Sequence, residues 1–428
     1  MNVLIVGNGA REHAIAWKLV QSTKLNKLYA APGNGGLSQV ATNAPIQSSD
    51  IQGLLTFAKD NHIDLTIVGP EIPLDAGIVD AFEAEGLRIF GPSRLAARLE
   101  SSKAFAKDLF KKYDIPTARS ETFSSSNAAL EYVSDIEMPI VIKADGLAAG
   151  KGVTIANTIE EANNAITDCL DKDIFGNAGR KIVIEEYLIG QEVSVFTFSD
   201  GKNLSDLISA CDYKRAYDLD MGPNTGGMGS FSPPLFWNEE LSETIRTKVM
   251  LPVIRGMENE GHPYKGVLYA GIILTTTGPK VLEFNCRFGD PETQVILPRL
   301  ETDLIEIALS VAEHRLNETA IRWSNKSCVA VVLAARGYPG DYDIGFELHN
   351  VHSYKPDAII FHAGTRFDDE KQGQLVSDGG RILTVVGRHE DMDSARELAY
   401  ETIARIGDES TYYRKDIALN TRTKLEME

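Results

Sequence analysis

The stretch Lys280-Val281-Leu282-Glu283-Phe284-Asn285-Cys286-Arg287-Phe288-Gly289-Asp290-Pro291-Glu292-Thr293-Gln294 opens as a short strand and closes in a turn dense in glycine, proline and charge. Side chains alternate across a strand, so Glu283, Asn285 and Arg287 are expected on one face while Leu282 and Phe284 pack on the other. That face carries two oxygen ligands and a cation. A carboxylate beside an amide oxygen suits magnesium, which keeps waters and shares phosphate oxygens, and a guanidinium suits two-pronged recognition of carboxylate or phosphate.

Working outward, residues 138–143 read as an apolar strand ending in Lys143, followed by Asp145-Gly146-Leu147-Ala148-Ala149-Gly150-Lys151-Gly152 and the run Val153 to Ile155. This is no Walker loop: the glycines stand one residue too close, Gly152 follows Lys151 where Ser or Thr is needed, and a strand follows where a helix is needed. A flexible loop between two strands can instead fold over a triphosphate, with Lys143 fixed on the sheet and Lys151 on the flap, the alternative being a solvated turn. The run Lys181 to Glu192 reads as a strand whose acids, taken alone, suit a solvated terminus, though such an end can also offer backbone groups to an adenine edge and a carboxylate to ribose hydroxyls. Residues 212–229, rich in Gly, Asp and Asn, read as a long functional loop, since hydrophobic Phe231, Leu235, Phe236 and Trp237 follow at once.

The opening strand ends in Gly7-Asn8-Gly9-Ala10-Arg11-Glu12, two glycines of a dinucleotide fingerprint with Glu12 where the third belongs. No Asp or Glu occurs between Glu12 and Asp50 to hold a ribose, so a nicotinamide or flavin site is disfavoured. What survives is a strand, a turn and a helix N-terminus that favours an anion. Short apolar runs at 3–6, 28–30, 65–68 and 88–90, with helical patterns between them, predict a parallel sheet. A helix over 102–113 ends at Asp114-Ile115-Pro116, a compact β-α-β unit is expected over 124–191, and 327–428 reads as a small α+β tail.

The 428 residues carry 43 Lys and Arg against 61 Asp and Glu, a formal charge of −18 that repels polyanions and argues against nucleic-acid or anionic-membrane partners. Four scattered cysteines suggest neither a disulfide framework nor a zinc site, no apolar run reaches membrane-spanning length, and a cytoplasmic enzyme is expected. None of the eight histidines presents itself as a general base.

Taken in order, GNGAREHAIAWKL, VGPEIPL, FGPS, LESSKAF, VIKADGLAAGKGV, GPNTGGMG and EFNCRFGDPETQ closely resemble the phosphoribosylamine–glycine ligase (glycinamide ribonucleotide synthetase) family, with Arg336-Gly337-Tyr338-Pro339 and His362-Ala363-Gly364-Thr365 extending the likeness into the tail. The resemblance implies a mixed α/β and α+β fold: a Rossmann-like domain over 1–100, an ATP-grasp domain over 101–323 with a mobile lid at about 123–191, and a C-terminal domain over 324–428. It implies ATP-dependent joining of glycine to phosphoribosylamine in purine synthesis, with magnesium or manganese; the oligomeric state, monomer or weak dimer, is left open by the sequence. By the same resemblance, Lys103, Lys143, Lys151 and Gly152 meet the nucleotide phosphates. Glu185, Tyr187 and Leu188 frame adenine, Glu192 meets ribose, and Glu283 and Asn285 hold the metal. Asp212, Lys214 and Arg287 meet glycine, while Gly9, Arg11, Glu12, Gly33, Asn34, Glu71, Pro73 and Asp290 shape the phosphoribosylamine pocket. Three positions depart from the family pattern: Ala10 and Ala418 where glycine is usual, and Tyr213 where histidine is more common.

Overall fold

The computed structural model describes residues 1–148, 152–352, 355–368, 370 and 373–419. The chain begins β1 (Asn2–Gly7), α1 (Ala10–Leu19), β2 (Lys27–Pro32), β3 (Thr42–Asn43), α2 (Ile51–Asp60), β4 (Leu65–Val68), α3 (Glu71–Asp75), α4 (Ile78–Ala84) and β5 (Ile89–Phe90). The strands pair in parallel in the order β3-β2-β1-β4-β5. Val3, Leu4, Ile5 and Val6 have no exposed surface, because helices cover both faces. Val3 and Ile5 pack with Ala14 and Ile15 of α1, whereas Leu4 and Val6 pack with Leu54 of α2 and Phe82 of α4. β1 lies between β2 and β4, where the strand order reverses, so the turn after Gly7 opens into the crevice where such sheets take ligands. The four strands expected from the sequence are present, and β3, two exposed residues without an apolar run, is the one it does not announce.

Two short helices, α5 (Arg98–Ser101) and α6 (Lys103–Lys112), lead out of this unit. The next elements are β6 (Ser120–Phe123), α7 (Ser126–Ser134), β7 (Ile140–Ala144), β8 (Val153–Ala156), α8 (Ile159–Leu170) and β9 (Ile182–Glu186). Their strands form an antiparallel sheet in the order β6-β9-β7-β8. Ala129, Val133, Ile140, Ile142, Ala162, Ile166, Ile182 and Ile184 give it a core of its own.

The rest of the chain contributes β10 (Gln191–Asp200), β11 (Ile208–Asp212), β12 (Arg215–Tyr217), β13 (Met221–Asn224), β14 (Gly229–Ser232), α9 (Glu239–Ile245), α10 (Leu251–Asn259), β15 (Lys265–Thr275), β16 (Gly278–Asn285), α11 (Thr293–Ile296) and α12 (Leu304–Ala312). β17 (Ser327–Ala335), β18 (Ala358–His362), β19 (Thr365–Asp368), β20 (Gln374–Ser377), β21 (Arg381–His389), α13 (Met392–Ile403) and β22 (Thr411–Tyr412) complete it. Among the described residues one nine-stranded sheet runs β16-β15-β10-β11-β14-β17-β21-β18, with β22 beside β17. The C-terminal strands therefore extend the central sheet through the β14–β17 pair. The segment expected as a loop after Asp212 contains the hairpin β12–β13, whose turn puts Leu219 and Asp220 in left-handed conformation, with φ of 58° and 55°. No helix among the described residues is long and apolar enough to cross a membrane.

Candidate active site

β16 does not keep the simple alternation expected of it. Gly271 faces Glu283 and Ile272 faces Val281, so a bulge leaves Leu282 unpaired. Val281 and Phe284 enter the core, which corrects the expected pair Leu282 and Phe284. Glu283 and Asn285 lie beyond the bulge, two residues apart, and keep a common face. Desolvation by the surrounding cleft would raise the Glu283 pKa, although its side chain still meets solvent, but the cations Lys214, Lys143, Lys103 and Arg287 outweigh it and hold the carboxyl below its usual range. An ionised carboxylate with one amide oxygen fits a metal that keeps waters and borrows phosphate oxygens. No group of three or more acids, histidines or cysteines placed to hold a metal occurs among the described residues.

Arg287 has more partners than the sequence suggested. Its Nη2 lies 3.1 Å from Asn285 Oδ1 and 2.9 Å from Glu100 Oε1. Its Nε lies 3.2 Å from Glu71 Oε2, and Nη1 donates to the Phe288 carbonyl at 3.3 Å. Glu100, which the motif reading missed, also accepts the Cys286 N–H at 2.6 Å and so fixes the strand end that carries Asn285.

Lys143 projects from β7 toward β9, where its Nζ lies 3.1 Å from Glu185 Oε2 and donates to the Leu282 carbonyl at 3.1 Å. The other oxygen of Glu185 lies 3.2 Å from Lys107 Nζ. All three side chains are buried. The Glu185 carboxylate is thus engaged by two lysines. Burial pushes the Lys107 amine down to about 8 despite Glu185. Lys107 was not foreseen, although it stands four residues after Lys103 on one helix face. Asp145 caps α6: its Oδ1 accepts the Ala104 N–H at 2.7 Å and its carbonyl accepts the Lys103 N–H at 3.1 Å, which brings Lys103 to the start of the glycine loop. At the other end of that loop the Ala144 N–H donates to the Gly152 carbonyl at 2.8 Å. Lys151 lies outside the described residues. After β9, Tyr187 is 42% and Ile189 81% exposed, an open apolar margin flanking Leu188.

Asp212 closes β11, with Lys214 Nζ 3.9 Å away. Lys214 also pairs with Glu192 on β10, so the residue expected at ribose is held by a lysine here. Burial first, then the charges of Glu292 and Glu192, push the Asp212 carboxyl up to about 7 against the pull of Lys214. Glu292, another residue not singled out from sequence, is buried and accepts hydrogen bonds from the Tyr269 hydroxyl at 2.7 Å and the Ser194 hydroxyl at 3.0 Å.

In the N-terminal unit one N–H of the helix terminus expected to bind an anion is taken by the chain itself. Glu12 folds back to accept the Gly9 N–H at 2.6 Å and the Arg11 Nε–H at 2.6 Å. A Cβ on Gly69 would fall 1.9 Å from Glu12 Oε1, so the missing third glycine of the fingerprint is replaced by a carboxylate lodged between backbone turns. Arg11 also donates to the Phe288 carbonyl at 3.1 Å. The Asn34 amide is fully engaged: it donates to the Asn8 and His362 carbonyls, both at 2.8 Å, and accepts the Gly36 and Leu37 N–H groups. The side chains of Glu12 and Asn34 are thus held by hydrogen bonds within the chain. Gly33 donates its N–H to the Gly7 carbonyl at 3.2 Å, and Pro73 is buried in α3. Asp290 approaches Gly9, accepts from Gln294 at 2.8 Å and lies 3.3 Å from Arg381.

Residues 1–100, 101–293 and 328–420 match models of the N domain, the ATP-grasp (A) domain and the C domain of phosphoribosylglycinamide synthetase. The chain belongs to the phosphoribosylglycinamide synthetase family. It is 48% identical over 418 residues to the phosphoribosylamine–glycine ligase of Halalkalibacterium halodurans, covering 97% of this chain and 96% of that protein. The Yersinia pestis ligase of the same name is 47% identical over 421 residues, covering 97% and 98%. The crystal structure of the Thermotoga maritima phosphoribosylamine–glycine ligase superposes with a TM-score of 0.85 at 33% identity, covering 97% of this chain and all of that one. A biotin carboxylase domain from Hydrogenobacter thermophilus, solved with MgADP, shares the fold at 14% identity with a TM-score of 0.73, covering 96% and 91%. The chain is thus an ATP-dependent ligase of purine biosynthesis.

Tyr213 and Ala418, two positions that the sequence resemblance sets apart, touch each other. The Tyr213 hydroxyl accepts the N–H of Ala418 at 3.0 Å, and the Arg414 guanidinium stands 4.8 Å from the Tyr213 ring centre. Arg414 is almost wholly buried and pairs with Asp220 and Asp416, tying the C-terminal segment to the β12–β13 hairpin. Arg381, on β21, donates to the carbonyls of Gly226 at 2.7 Å and Asp290 at 3.1 Å, so the C-terminal strands also brace the two glycine-rich turns of the site.

Proposed function

We propose that the enzyme joins glycine to 5-phospho-D-ribosylamine, giving N1-(5-phospho-D-ribosyl)glycinamide, ADP and phosphate by way of glycyl phosphate. The observation that carries this reading is the cleft at the end of β16. There the ionised Glu283, the lysines Lys103 and Lys143 and the guanidinium of Arg287 converge, and Arg287 reaches across to Glu71 of the N-terminal unit. We assign residues 1–100 to phosphoribosylamine, 101–323 to ATP and glycine, with 123–191 as the lid, and 324–428 to bracing the site. The small substrates suit a cytoplasmic monomer or weak dimer with four free thiols.

A carboxylate is a poor acyl donor, so a glycine oxygen first attacks the γ-phosphorus and ADP leaves. Lys103, Lys143, Lys151 and Gly152 hold the phosphates, and Tyr187, Leu188 and the Glu185 backbone take adenine, with Glu192 at ribose. Asp212 receives the glycine ammonium, with Lys214 beside it, and Arg287 receives the carboxylate. Glu283 and Asn285 would hold magnesium, or manganese in its place, which supplies charge neutralisation on the transferring phosphoryl group. In the second step the ribosylamine nitrogen, held by Gly9, Arg11, Gly33, Glu71, Pro73 and Asp290 around the wall built by Glu12 and Asn34, attacks the acyl carbon and phosphate departs. No protein nucleophile enters.

The test is incubation with ATP, glycine and freshly made phosphoribosylamine, followed by product mass. Ribosylglycinamide phosphate formed with one ADP per product is the expected result. Ligation to a different amine, with phosphoribosylamine ignored, would point to another ATP-grasp carboxylate–amine ligase and overturn the proposal.

A further inference from the structure

We infer that Glu71 is the general base of the second step, released for that task when the glycine carboxylate takes its place on Arg287. The inference rests on the proposed reading of the cleft and adds the proton acceptor that the sequence left unnamed.

Arg287 cannot grip a substrate carboxylate with two adjacent N–H groups while its present acceptors stay. Nε serves Glu71, Nη2 serves Glu100 and Asn285, and Nη1 serves the Phe288 carbonyl. Of the two carboxylates, Glu100 is fixed: its side chain is 9% exposed and its second oxygen holds the Cys286 N–H at 2.6 Å. Glu71 is the replaceable one. Its contact with Arg287 is the longer of the two, 3.2 Å, its other hydrogen bond is to a backbone N–H of its own helix start, and its side chain is 30% exposed. A glycine carboxylate arriving on the Nε side displaces Glu71 and leaves Glu100 in place. The charged groups facing Glu71 are Arg287, Arg11 and the carboxylate of Glu100. Burial favours the neutral acid, but Arg287 and Arg11 hold Glu71 below the usual carboxylate range. Exchange on Arg287 removes the larger of those two attractions and makes Glu71 a better proton acceptor. It also leaves Glu71 nearest the Arg11 side, where the ribosylamine pocket is placed.

The step balances. The amine lone pair forms the C–N bond to the acyl carbon of glycyl phosphate, the C–O bond to the phosphoryl group breaks, and phosphate leaves with that electron pair. The proton on the new amide nitrogen passes to the Glu71 carboxylate. The histidines bordering the pocket are otherwise engaged: His13 Nδ1 accepts the His362 N–H, and His362 Nδ1 faces the Thr365 hydroxyl.

Glu71→Gln separates the two steps. Glycyl phosphate is trapped with hydroxylamine in the absence of ribosylamine, and ribosylglycinamide is measured in its presence. The expected result is unchanged trapping with product formation lowered by about 10²-fold or more, partly restored in Glu71→Asp. Glu100→Gln, which loosens Arg287 itself, is expected to lower trapping. Full product formation by Glu71→Gln would overturn the inference, since the departing phosphate would then be the acceptor. Equal loss of trapping and product would overturn it as well, making Glu71 a support for Arg287 only. Wild-type enzyme that yields hydroxamate but no ribosylglycinamide would reject the reading beneath the inference and the inference with it.

Discussion

At the scale of single residues the site works by setting carboxylates at different charges within one cleft. Glu283 is kept ionised by four cations, while Asp212, buried beside Glu292 and Glu192, titrates at about 7. Below that value Asp212 is neutral and cannot hold an ammonium ion; above it the charge is present. The kcat/KM for glycine is therefore expected to rise with pH through about 7. Asp212→Asn should flatten that rise and lower kcat/KM on the alkaline side by roughly 10–100-fold, the worth of one charged hydrogen bond. A variant that keeps the wild-type pH profile would remove Asp212 from glycine binding. Glu185 has the opposite character, a buried anion between Lys107 and Lys143. Glu185→Gln leaves two buried ammonium groups facing one another and should cost about 3–5 kcal/mol in a urea unfolding measurement. A loss below about 1 kcal/mol would show that the pair of ion bridges is no more than a surface-type contact. Sequence made Glu283, Asn285 and Lys143 visible because alternation along an apolar run exposes them. Lys107, Glu100 and Glu292 stayed hidden, since their partners lie on elements distant in the chain and only the fold brings them together.

At the scale of elements, two features carry consequences that can be measured. Gly152 sits where β8 begins, and a Cβ there would fall 2.7 Å from Ala148 Cβ and 3.1 Å from Ala144 Cβ, so any side chain displaces the loop that leads to Lys151. Gly152→Ala and Lys151→Ala are both expected to lower kcat by about tenfold or more while ADP affinity, read by calorimetry, changes modestly. Loss of ADP affinity with kcat intact would place this loop at the resting nucleotide rather than at the reacting phosphate. The C-terminal segment contains a second feature, Ala418 at φ 56°, where a Cβ is strained and the family more often has glycine. Ala418→Gly should stabilise the protein by about 0.5–1 kcal/mol, seen as a raised Tm. An unchanged or lowered Tm would mean that the Tyr213 contact compensates the strain. The same scale shows why the β16 reading was only partly right. A bulge at Leu282 is invisible to a period-of-two argument, yet it moves Val281 into the core and turns the Leu282 carbonyl to Lys143. The hairpin β12–β13 was read as loop because glycine, proline and asparagine mask so short a ladder.

At the scale of the whole molecule, the parallel sheet and the central sheet meet around Arg287, Glu100 and Glu71, and the antiparallel unit reaches the central sheet where Lys143 donates to the Leu282 carbonyl. The parallel unit was legible from four buried apolar runs. The joining of β14 to β17 was not, because the pairing spans about a hundred residues and either strand alone reads as an ordinary apolar segment. At the start of α1, where an anion is expected, Glu12 already takes the Gly9 N–H, a contact that a fingerprint template treats only as a mismatch. On the proposed reading, this architecture activates a carboxylate by phosphorylation, with no covalent enzyme intermediate, and hands it to an amine across the Arg287 junction. The most direct measurement uses glycine labelled with heavy oxygen in its carboxylate, in the complete reaction with ATP and phosphoribosylamine. If glycine attacks the γ-phosphorus, its oxygen becomes the bridge of the acyl phosphate and departs with phosphate. One label in each released phosphate, with ADP unlabelled, is the predicted result. Unlabelled phosphate at full yield of ribosylglycinamide would contradict the glycyl phosphate route and the role of Arg287 in presenting that carboxylate.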